Sequence, residues 1–178
     1  MPENCFSAVQ RTAKIKGEGR PEGMLKYEMI RVDDRLLHGQ VLMKWIKLLK
    51  VKRVDVLSDA LASDPILKTL LEKTIPDEIL LKIWSVDEGT NGIYEQEGTT
   101  LLLVPDVDTL FKLYENGIQL KRVSISRLPC EMGKEKIYDH VFVSGEERKK
   151  LGILLNHGID LRIQMVPDSD AIYLKDVL

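Results

Sequence analysis

The sequence predicts a single-domain α/β protein with a doubly wound, mostly parallel sheet and helices on both faces. Short apolar or β-branched runs alternate with helix-like segments from residue 27 to residue 166, and the connections between them are short. This alternation is typical of parallel strands joined by helices. Residues 99–104 are apolar almost throughout, as expected for a strand that is covered on both faces. No linker interrupts the pattern, which favours one domain over two.

The individual elements follow from the same patterns. Strands are predicted at the short apolar or β-branched runs, which are residues 27–32, 51–57, 78–84, 99–104, 121–125 and 159–166. Helices are predicted at segments with helical spacing or start signals, which are residues 41–50, 61–73, 85–97, 105–116 and 144–157. Ser58-Asp59 and Ser63-Asp64-Pro65 are alternative starts for the second helix, because both offer N-cap chemistry. Residues 128–133 predict an irregular loop, and residues 136–143 predict one or two short strands.

Composition excludes several classes of protein. The 178-residue chain has 44% hydrophobic and 30% charged residues and a formal net charge of -2. These values are ordinary for a globular protein and give no electrostatic case for binding nucleic acid or an anionic membrane. No apolar run approaches the roughly 20 residues that span a bilayer. Cys5 and Cys130 lack metal-binding spacing, and without a secretory signal they predict reduced thiols in a cytosolic protein.

Residues 1–23 differ from the rest of the chain, because they are polar, contain basic residues and glycines, and lack a periodic pattern. Three interpretations compete: a disordered tail, an amphipathic extension, and a gene start placed upstream of the natural one. The third is favoured, because residues 16–19 back-translate to purine-rich codons like those of a bacterial ribosome-binding site. Met24 follows a few codons later. The domain is therefore expected to span residues 24–178.

The most unusual stretch connects the first strand to the first helix. Two arginines, two aspartates and one histidine fall between residue 31 and residue 38, in the sequence Arg-Val-Asp-Asp-Arg-Leu-Leu-His. Open α/β sheets bind their ligands at such strand-to-helix loops. His38 is a candidate nucleophile for phosphoryl transfer, since a neutral imidazole nitrogen can attack phosphorus. Gly39 and Gln40 begin the predicted helix, whose backbone N–H groups form an anion site that glycine allows the ligand to approach closely.

The charged neighbours of His38 suit the same chemistry. Arg31 and Arg35 can bind phosphate oxygens in bidentate geometry, and Asp33 or Asp34 can orient an arginine or hold the imidazole tautomer. Ordinary alternatives stand beside each assignment. A histidine at a helix start is often a cap or a surface residue, an aspartate pair is often a solvated turn, and Arg31 can be a surface residue that alternates with inward-facing neighbours.

A family resemblance favours the catalytic interpretation. Residues 30–41 read Ile-Arg-Val-Asp-Asp-Arg-Leu-Leu-His-Gly-Gln-Val. This sequence closely resembles the signature Arg-Ile-Asp-Asp-Arg-Leu-Ile-His-Gly-Gln-Val of the enzyme IIB components of the mannose/fructose/sorbose family of the bacterial phosphotransferase system. A weaker likeness covers most of the chain from residue 24 to about residue 170.

The resemblance implies a phosphocarrier with a largely parallel α/β fold. His38 matches the family histidine, which accepts a phosphoryl group on Nδ1 from a phosphorylated IIA protein or domain and passes it to a sugar in the membrane-embedded IIC/IID complex. Arg35 matches the family's phosphate-stabilising arginine, and Arg31, Asp33 and Asp34 match its other charged loop positions. No metal or organic cofactor is implied. The expected location is the cytoplasm, in peripheral association with the permease, and the sugar, the IIA partner and homo-oligomer formation stay open.

One departure from the family pattern lies after the fifth strand. Many members have an Asn-Val-Gly-Gly-like turn near the active site, whereas residues 123–127 here read Val-Ser-Ile-Ser-Arg. Arg127 either adds a phosphate contact, alters partner docking, or belongs to a surface loop that has drifted.

Two rival functions remain open from the residues. A receiver-like signalling module would carry an aspartyl phosphate, for which Asp33-Asp34 is a candidate acidic pair and an aspartate after a later strand a candidate partner. It also needs an acceptor aspartate and a suitably placed lysine, but no convincing Lys-Pro follows the fourth strand. A non-catalytic regulatory domain of the same fold would take up no phosphate.

Overall fold

The computed structural model of the chain describes residues 27–92 and 99–178. The predicted N-terminal extension, Cys5, the proposed start at Met24 and the end of the predicted helix 85–97 lie outside the described residues. Within the described ranges, the predicted α/β architecture with a mostly parallel sheet is confirmed.

Nine strands and six α-helices are present in the described ranges. The strands are β1 (Tyr27–Asp33), β2 (Arg53–Leu57), β3 (Leu80–Trp84), β4 (Thr100–Val104), β5 (Arg122–Arg127), β6 (Glu135–Tyr138), β7 (Val141–Val143), β8 (Asp160–Ile163) and β9 (Ile172–Tyr173). The helices are α1 (Gly39–Leu49), α2 (Asp59–Ala62), α3 (Pro65–Glu72), α4 (Val86–Gly92), α5 (Val107–Glu115) and α6 (Gly145–Asn156). The main sheet has the order β3-β2-β4-β1-β5-β8-β9, and β6 and β7 form a separate antiparallel hairpin. All neighbours in the main sheet are parallel except β8 and β9.

Helices cover both faces of the sheet, and an apolar cluster lies beneath each layer. On one face α1 buries Leu42, Trp45 and Ile46 against the sheet. On the other face α5 and α6 bury Leu110 and Leu154, among other residues. The central strands β2 and β4 are buried at every position, which explains why the sequence of β4 is almost continuously apolar.

Side-chain caps set several helix boundaries. Both alternative starts of the second helix are used, because Ser58 caps α2 and Asp64 caps α3. The prediction of one helix over residues 61–73 is therefore wrong. Pro65 disfavours a helical conformation at the residue before it, and Asp64 is extended, with φ -108° and ψ 96°. Ser144 and Glu147 form a reciprocal capping box at the start of α6, as their sequence indicated.

The fifth strand is longer than predicted. The sequence was expected to leave the sheet at Ile125, but β5 continues through Arg127, and the irregular segment begins at Leu128. Ser124 and Ser126 are polar but buried, and each hydroxyl donates a hydrogen bond to the carbonyl oxygen of Gln164. These bonds satisfy the polar side chains and allow the strand to continue.

The β1–β5 pair has a topology that favours a ligand site. From β1 the chain continues into α1 on one face of the sheet, whereas from β5 it continues through the β6–β7 hairpin to α6 on the other face. Connections that diverge to opposite faces leave a crevice at the carboxyl ends of such neighbouring strands. The charged loop 34–38 lies at this edge, directly after β1. In the described ranges, no helix is long and apolar enough to cross a membrane.

Candidate active site

The loop between β1 and α1 is a compact turn that a buried leucine anchors. The backbone N–H of Leu36 donates to the Asp33 carbonyl at 2.9 Å, and the N–H of His38 donates to the Leu36 carbonyl at 3.0 Å. Leu36 has a left-handed backbone, with φ 51°, and its side chain is buried in the cluster beneath α1. The turn is thus held from below, while the residues from His38 to Gln40 are exposed.

His38 occupies the N-cap position of α1. Its carbonyl oxygen accepts a hydrogen bond from the N–H of Leu42, but its side chain does not cap the helix. No hydrogen bond joins its imidazole to another residue within ranges 27–92 and 99–178. The ring is exposed, and neither ring nitrogen is hydrogen-bonded to another of the described residues. A lone pair on either nitrogen is therefore available to attack a phosphorus atom.

The start of α1 is favourable for an anion. The 11-residue helix has no acidic residue in its first turn, so the positive end of the helix dipole is not offset there by a carboxylate. Gly39 is the first helical residue and has a positive φ of 29°, and Gln40 follows it on the exposed surface. The N–H groups beside His38 can therefore receive a phosphoryl group.

Replacing Gly39 with alanine should lower the free energy of unfolding by about 1 kcal/mol, because a residue with a Cβ is strained at positive φ. The added methyl group would meet no atom within 4 Å, so the cost comes from the backbone. Gly145→Ala is the matched control, since Gly145 also begins a helix and has open space but lacks a positive φ. Urea denaturation of both variants measures the difference. Equal changes in stability would contradict a backbone requirement at Gly39.

Asp33 is the centre of an ion-pair network beneath the loop, and its side chain is only 1% exposed. Its Oδ2 accepts hydrogen bonds from Nη2 of Arg31 at 2.8 Å and from Nη2 of Arg35 at 3.2 Å. Its Oδ1 accepts from Nε and from the backbone N–H of Arg35, at 3.1 and 3.2 Å. Burial acts to raise the pKa of Asp33, but the hydrogen bonds from Arg35 and the charge of Arg31 outweigh it and lower the pKa. Asp33 therefore orients both arginines as a carboxylate.

Arg31 is buried rather than exposed, so its interpretation as a surface residue is wrong. Its side chain is 2% exposed, and its Nη1 donates to the carbonyl oxygen of Met165 at 3.0 Å. The guanidinium carbon lies 5.8 Å from the ring centroid of Trp45, whose Nε1 donates to the same carbonyl at 3.2 Å. Burial lowers the pKa of Arg31, although the neighbouring Asp33 opposes this effect. These contacts favour a positioning role for Arg31 over the direct phosphate contact that the sequence predicted.

Arg35 reaches the surface while Asp33 fixes its orientation. The Arg35 side chain is 26% exposed, and its hydrogen bond to Asp33 raises the pKa of the guanidinium. A charged fork held in place before the reaction needs little rearrangement to bind a phosphoryl group. Arg35 precedes His38 by three residues in the same turn. The predicted role in phosphate stabilisation therefore stays a proposal that the geometry favours.

Asp34 and Arg127 form a second, looser pair across the crevice. Oδ1 of Asp34 lies 3.5 Å from Nε of Arg127, and the two side chains are 26% and 39% exposed. In the strand register, Arg127 of β5 lies opposite Asp33 of β1. Arg127 is thus at the candidate site and not on a remote surface loop.

Several other polar and aromatic residues near the ends of strands and helices have structural partners away from the loop. Asp106 caps α5, Trp84 donates to Asp55, and His157 contacts the carbonyl oxygen of Ile153 at the end of α6. His140, expected in a strand, lies instead in the turn between β6 and β7 with φ 60°. The described residues contain no group of three or more His, Cys, Asp or Glu side chains that could hold a metal ion.

The carbonyl oxygen of Met165 is the part of the site that sequence reasoning missed. It accepts hydrogen bonds from both Arg31 and Trp45 and so connects β1 and α1 to the segment after β8. A backbone carbonyl imposes no preference on its own residue type, so the sequence carried no signal for it.

Comparison with known proteins relates the chain to one family. The family model described as PTS system sorbose subfamily IIB component matches residues 27–178. The chain is 30% identical over 151 residues to the PTS system fructose-specific EIIB component of Bacillus subtilis (strain 168), and the match covers 83% of this chain and 92% of that protein.

Two further comparisons agree with this match. The chain is 29% identical over 166 residues to the PTS system mannose-specific EIIAB component of Escherichia coli (strain K12), which covers 89% of this chain and 51% of that protein. The chain thus spans about half the length of this relative. The crystal structure of the PTS system N-acetylgalactosamine-specific IIB component 1 from Escherichia coli matches with a TM-score of 0.78 and 26% identity, over 84% of this chain and 99% of that one. The resemblance inferred from the sequence is confirmed.

Proposed function

The chain belongs to the sorbose-subfamily IIB components of the PTS system, and on that premise we propose that it is a sugar phosphocarrier. His38 accepts a phosphoryl group from a phosphorylated IIA protein or domain and passes it to a sugar bound by a IIC/IID membrane complex. The observation that carries the proposal is the position of His38. Its exposed imidazole lies at the start of α1, where the first turn has no acidic residue, and it follows Arg35, which Asp33 holds in place, by three residues.

In the first step, the lone pair of a neutral ring nitrogen of His38 attacks the phosphorus atom of the donor phosphohistidine. A new N–P bond forms on His38 as the N–P bond of the donor breaks, and the electron pair of the broken bond stays with the donor nitrogen. The transferring group carries its charge on three oxygens, so stabilisation of that charge is the main task of the protein. Arg35 and the first N–H groups of α1 are the proposed stabilising groups.

In the second step, a hydroxyl oxygen of the sugar attacks the same phosphorus atom. An O–P bond forms, the N–P bond to His38 breaks, and the hydroxyl proton passes to the released imidazole or to solvent. Gln40 lies on the exposed first turn of α1 and can donate a hydrogen bond to the moving group. Docking to the IIC/IID complex would bring the chain to the membrane surface.

The names of similar proteins support a class of sugar. They specify fructose, mannose and N-acetylgalactosamine. We therefore propose a hexose or an amino sugar as the final acceptor. The name of the mannose-specific relative joins the EIIA and EIIB designations in one chain, which supports a IIA domain or protein as the phosphoryl donor.

The stability of the bound phosphate tests this function against the receiver-like alternative. The alternative is disfavoured because both oxygens of Asp33 are occupied by arginine donors and the side chain is 1% exposed. Phosphate on His38 should be labile in acid and stable in base. Phosphate that neutral hydroxylamine removes would instead identify an acyl phosphate and would contradict the histidine assignment. A parent chain that takes up no phosphate from phosphorylated IIA or from phosphoramidate would favour the regulatory-domain alternative.

Replacing Arg35 with glutamine should slow phosphoryl transfer to His38 by about 100-fold or more, as expected when one preorganised charge donor is lost. Single-turnover transfer from phosphorylated IIA measures the rate, and thermal unfolding confirms that the variant folds. Arg162→Gln is the matched control, because Arg162 also pairs with an aspartate two residues earlier and is 30% exposed. Equal rates in Arg35→Gln and the parent would remove Arg35 from the mechanism.

A further inference from the structure

Arg127 is a third arginine at the loop, and the function proposed above does not use it. It ends β5 opposite Asp33, and its Nε lies 3.5 Å from Oδ1 of Asp34. Asp34 directly precedes Arg35 in the chain. The guanidinium of Arg127 therefore approaches the candidate phosphate site from the other side of the crevice between β1 and β5.

The three arginines differ in how firmly the protein holds them. Arg31 is buried and donates to two acceptors, and Arg35 contacts Asp33 through two of its nitrogens at 3.1 and 3.2 Å. Among the described residues, the Arg127 side chain has one ion pair, of 3.5 Å, which is longer than an ordinary N–H···O hydrogen bond. Oδ1 of Asp34 is buried and has no hydrogen-bond partner in the described part of the chain. The partly exposed pair holds Arg127 weakly. Its departure would leave the buried Oδ1 of Asp34 without a cation, so only a stronger anion can draw Arg127 away.

Charge changes on phosphorylation favour that exchange. Three guanidinium groups and two carboxylates give the unphosphorylated loop a local charge of +1. A phosphoryl group on His38 adds about -1.5 to -2 and makes the local charge negative, taking other phosphorylated side chains as the guide. It also offers three acceptor oxygens and more charge than the single carboxylate of Asp34. The phosphoryl group can thus compete with Asp34 for Arg127.

We propose that Arg127 is a second phosphate-binding residue, which pairs with Asp34 in the unphosphorylated protein and moves to the phosphoryl group once His38 carries it. Asp34 then acts as a competitor that weakens phosphate binding and so helps to set the phosphoryl-transfer potential of the protein. This inference rests on the function proposed above. Arginine suits the task because its long, flexible side chain carries a planar group with five donors.

The test compares the parent with Arg127→Gln, Asp34→Asn and the double variant. Two quantities are measured: the equilibrium constant for transfer from phosphorylated IIA, and the pH at which the ³¹P resonance of the phosphohistidine titrates. Arg127→Gln should lower the equilibrium constant about 10-fold, as expected for loss of one charge-assisted hydrogen bond, and should raise the pKa of the phosphoryl group. Asp34→Asn should change both quantities in the opposite direction, and by less when Arg127 is also absent.

The outcomes separate this inference from the proposed function. If the parent is phosphorylated on His38 but Arg127→Gln leaves both quantities unchanged, the inference is wrong and the phosphocarrier function stands. If the parent takes up no phosphate from phosphorylated IIA or from phosphoramidate, the proposed function fails and the inference fails with it. Arg127→Lys retains the charge without the planar fork and should recover part of the loss. A purely structural Arg127–Asp34 pair would change the stability of both single variants and leave the pKa of the phosphoryl group unchanged.

Discussion

Replacing His38 with alanine is expected to abolish phosphate acceptance while the protein stays folded. The imidazole is exposed, caps no helix and has no hydrogen-bond partner among residues 27–92 and 99–178, so its removal breaks no described contact of the side chain. The variant loses the nucleophile, and no neighbouring side chain in the loop can replace a neutral nitrogen. Incubation with phosphorylated IIA, followed by intact-mass measurement at alkaline pH, gives the extent of phosphorylation. Thermal unfolding gives the stability.

The two other histidines are matched controls for this experiment, since the chain has three. His157→Gln changes the residue at the end of α6, and His140→Asn changes the hairpin turn with a residue that tolerates its positive φ of 60°. Both variants should accept phosphate like the parent. If His38→Ala still accepts phosphate, His38 is not the carrier residue. If a folded control variant also loses acceptance, the loss in His38→Ala no longer identifies the carrier.

Replacing Asp33 with asparagine is expected to lower the free energy of unfolding by about 3–5 kcal/mol, because it leaves the buried charge of Arg31 without its partner. Arg31 is 2% exposed, so water cannot replace the lost carboxylate. Chemical denaturation of the parent and the variant measures the change. Asp34→Asn is the matched control, because it makes the same chemical change one residue later, in a partly exposed pair with a single long contact, and should cost no more than about 1 kcal/mol. Equal losses would contradict the larger contribution expected of the buried Asp33 network.

The same carboxylate predicts a pH dependence of stability. The pKa of Asp33 is lower in the folded protein than in an unfolded chain, where an aspartate has a pKa of about 3.9. Its contribution is therefore fully present above about pH 5 and is lost as the pH falls through the folded pKa. The stability difference between the parent and Asp33→Asn should be constant from about pH 5 to pH 7 and should shrink below about pH 4. A difference that grows in acid would contradict this sign.

Much of the fold could be predicted because local chemistry and tertiary structure agree. Apolar runs became strands, and the cap residues Ser58, Asp64 and Ser144 begin helices in the structure. The predictions failed where partners distant in sequence decide the conformation. β5 continues through Ser126 because the carbonyl oxygen of Gln164, from the segment after β8, satisfies its hydroxyl. Such a contact leaves no periodic signal in either segment.

At the candidate site, too, local sequence predicted some features, and contacts between distant segments determined the others. The composition of the loop and the family signature pointed to His38 and Arg35, but neither could rank the charged residues by burial. Arg31 lies within the predicted first strand and could equally have faced solvent. Its burial depends on Trp45 and on the Met165 carbonyl, which the topology brings to the same edge of the sheet. The contact between Arg127 and Asp34 likewise required the strand order, since β1 and β5 are neighbours in space but not in sequence.

The most direct test of the central claim is to locate the phosphoryl group after transfer from IIA. Phosphoenolpyruvate, enzyme I, HPr and a IIA protein encoded beside the gene would be combined with the parent chain, and peptides would be sequenced by mass spectrometry under alkaline conditions. The phosphocarrier account predicts one acid-labile phosphoryl group on His38. A phosphorylated IIA that leaves the chain unmodified, together with no modification by phosphoramidate, would contradict the account, as would phosphate on any other residue.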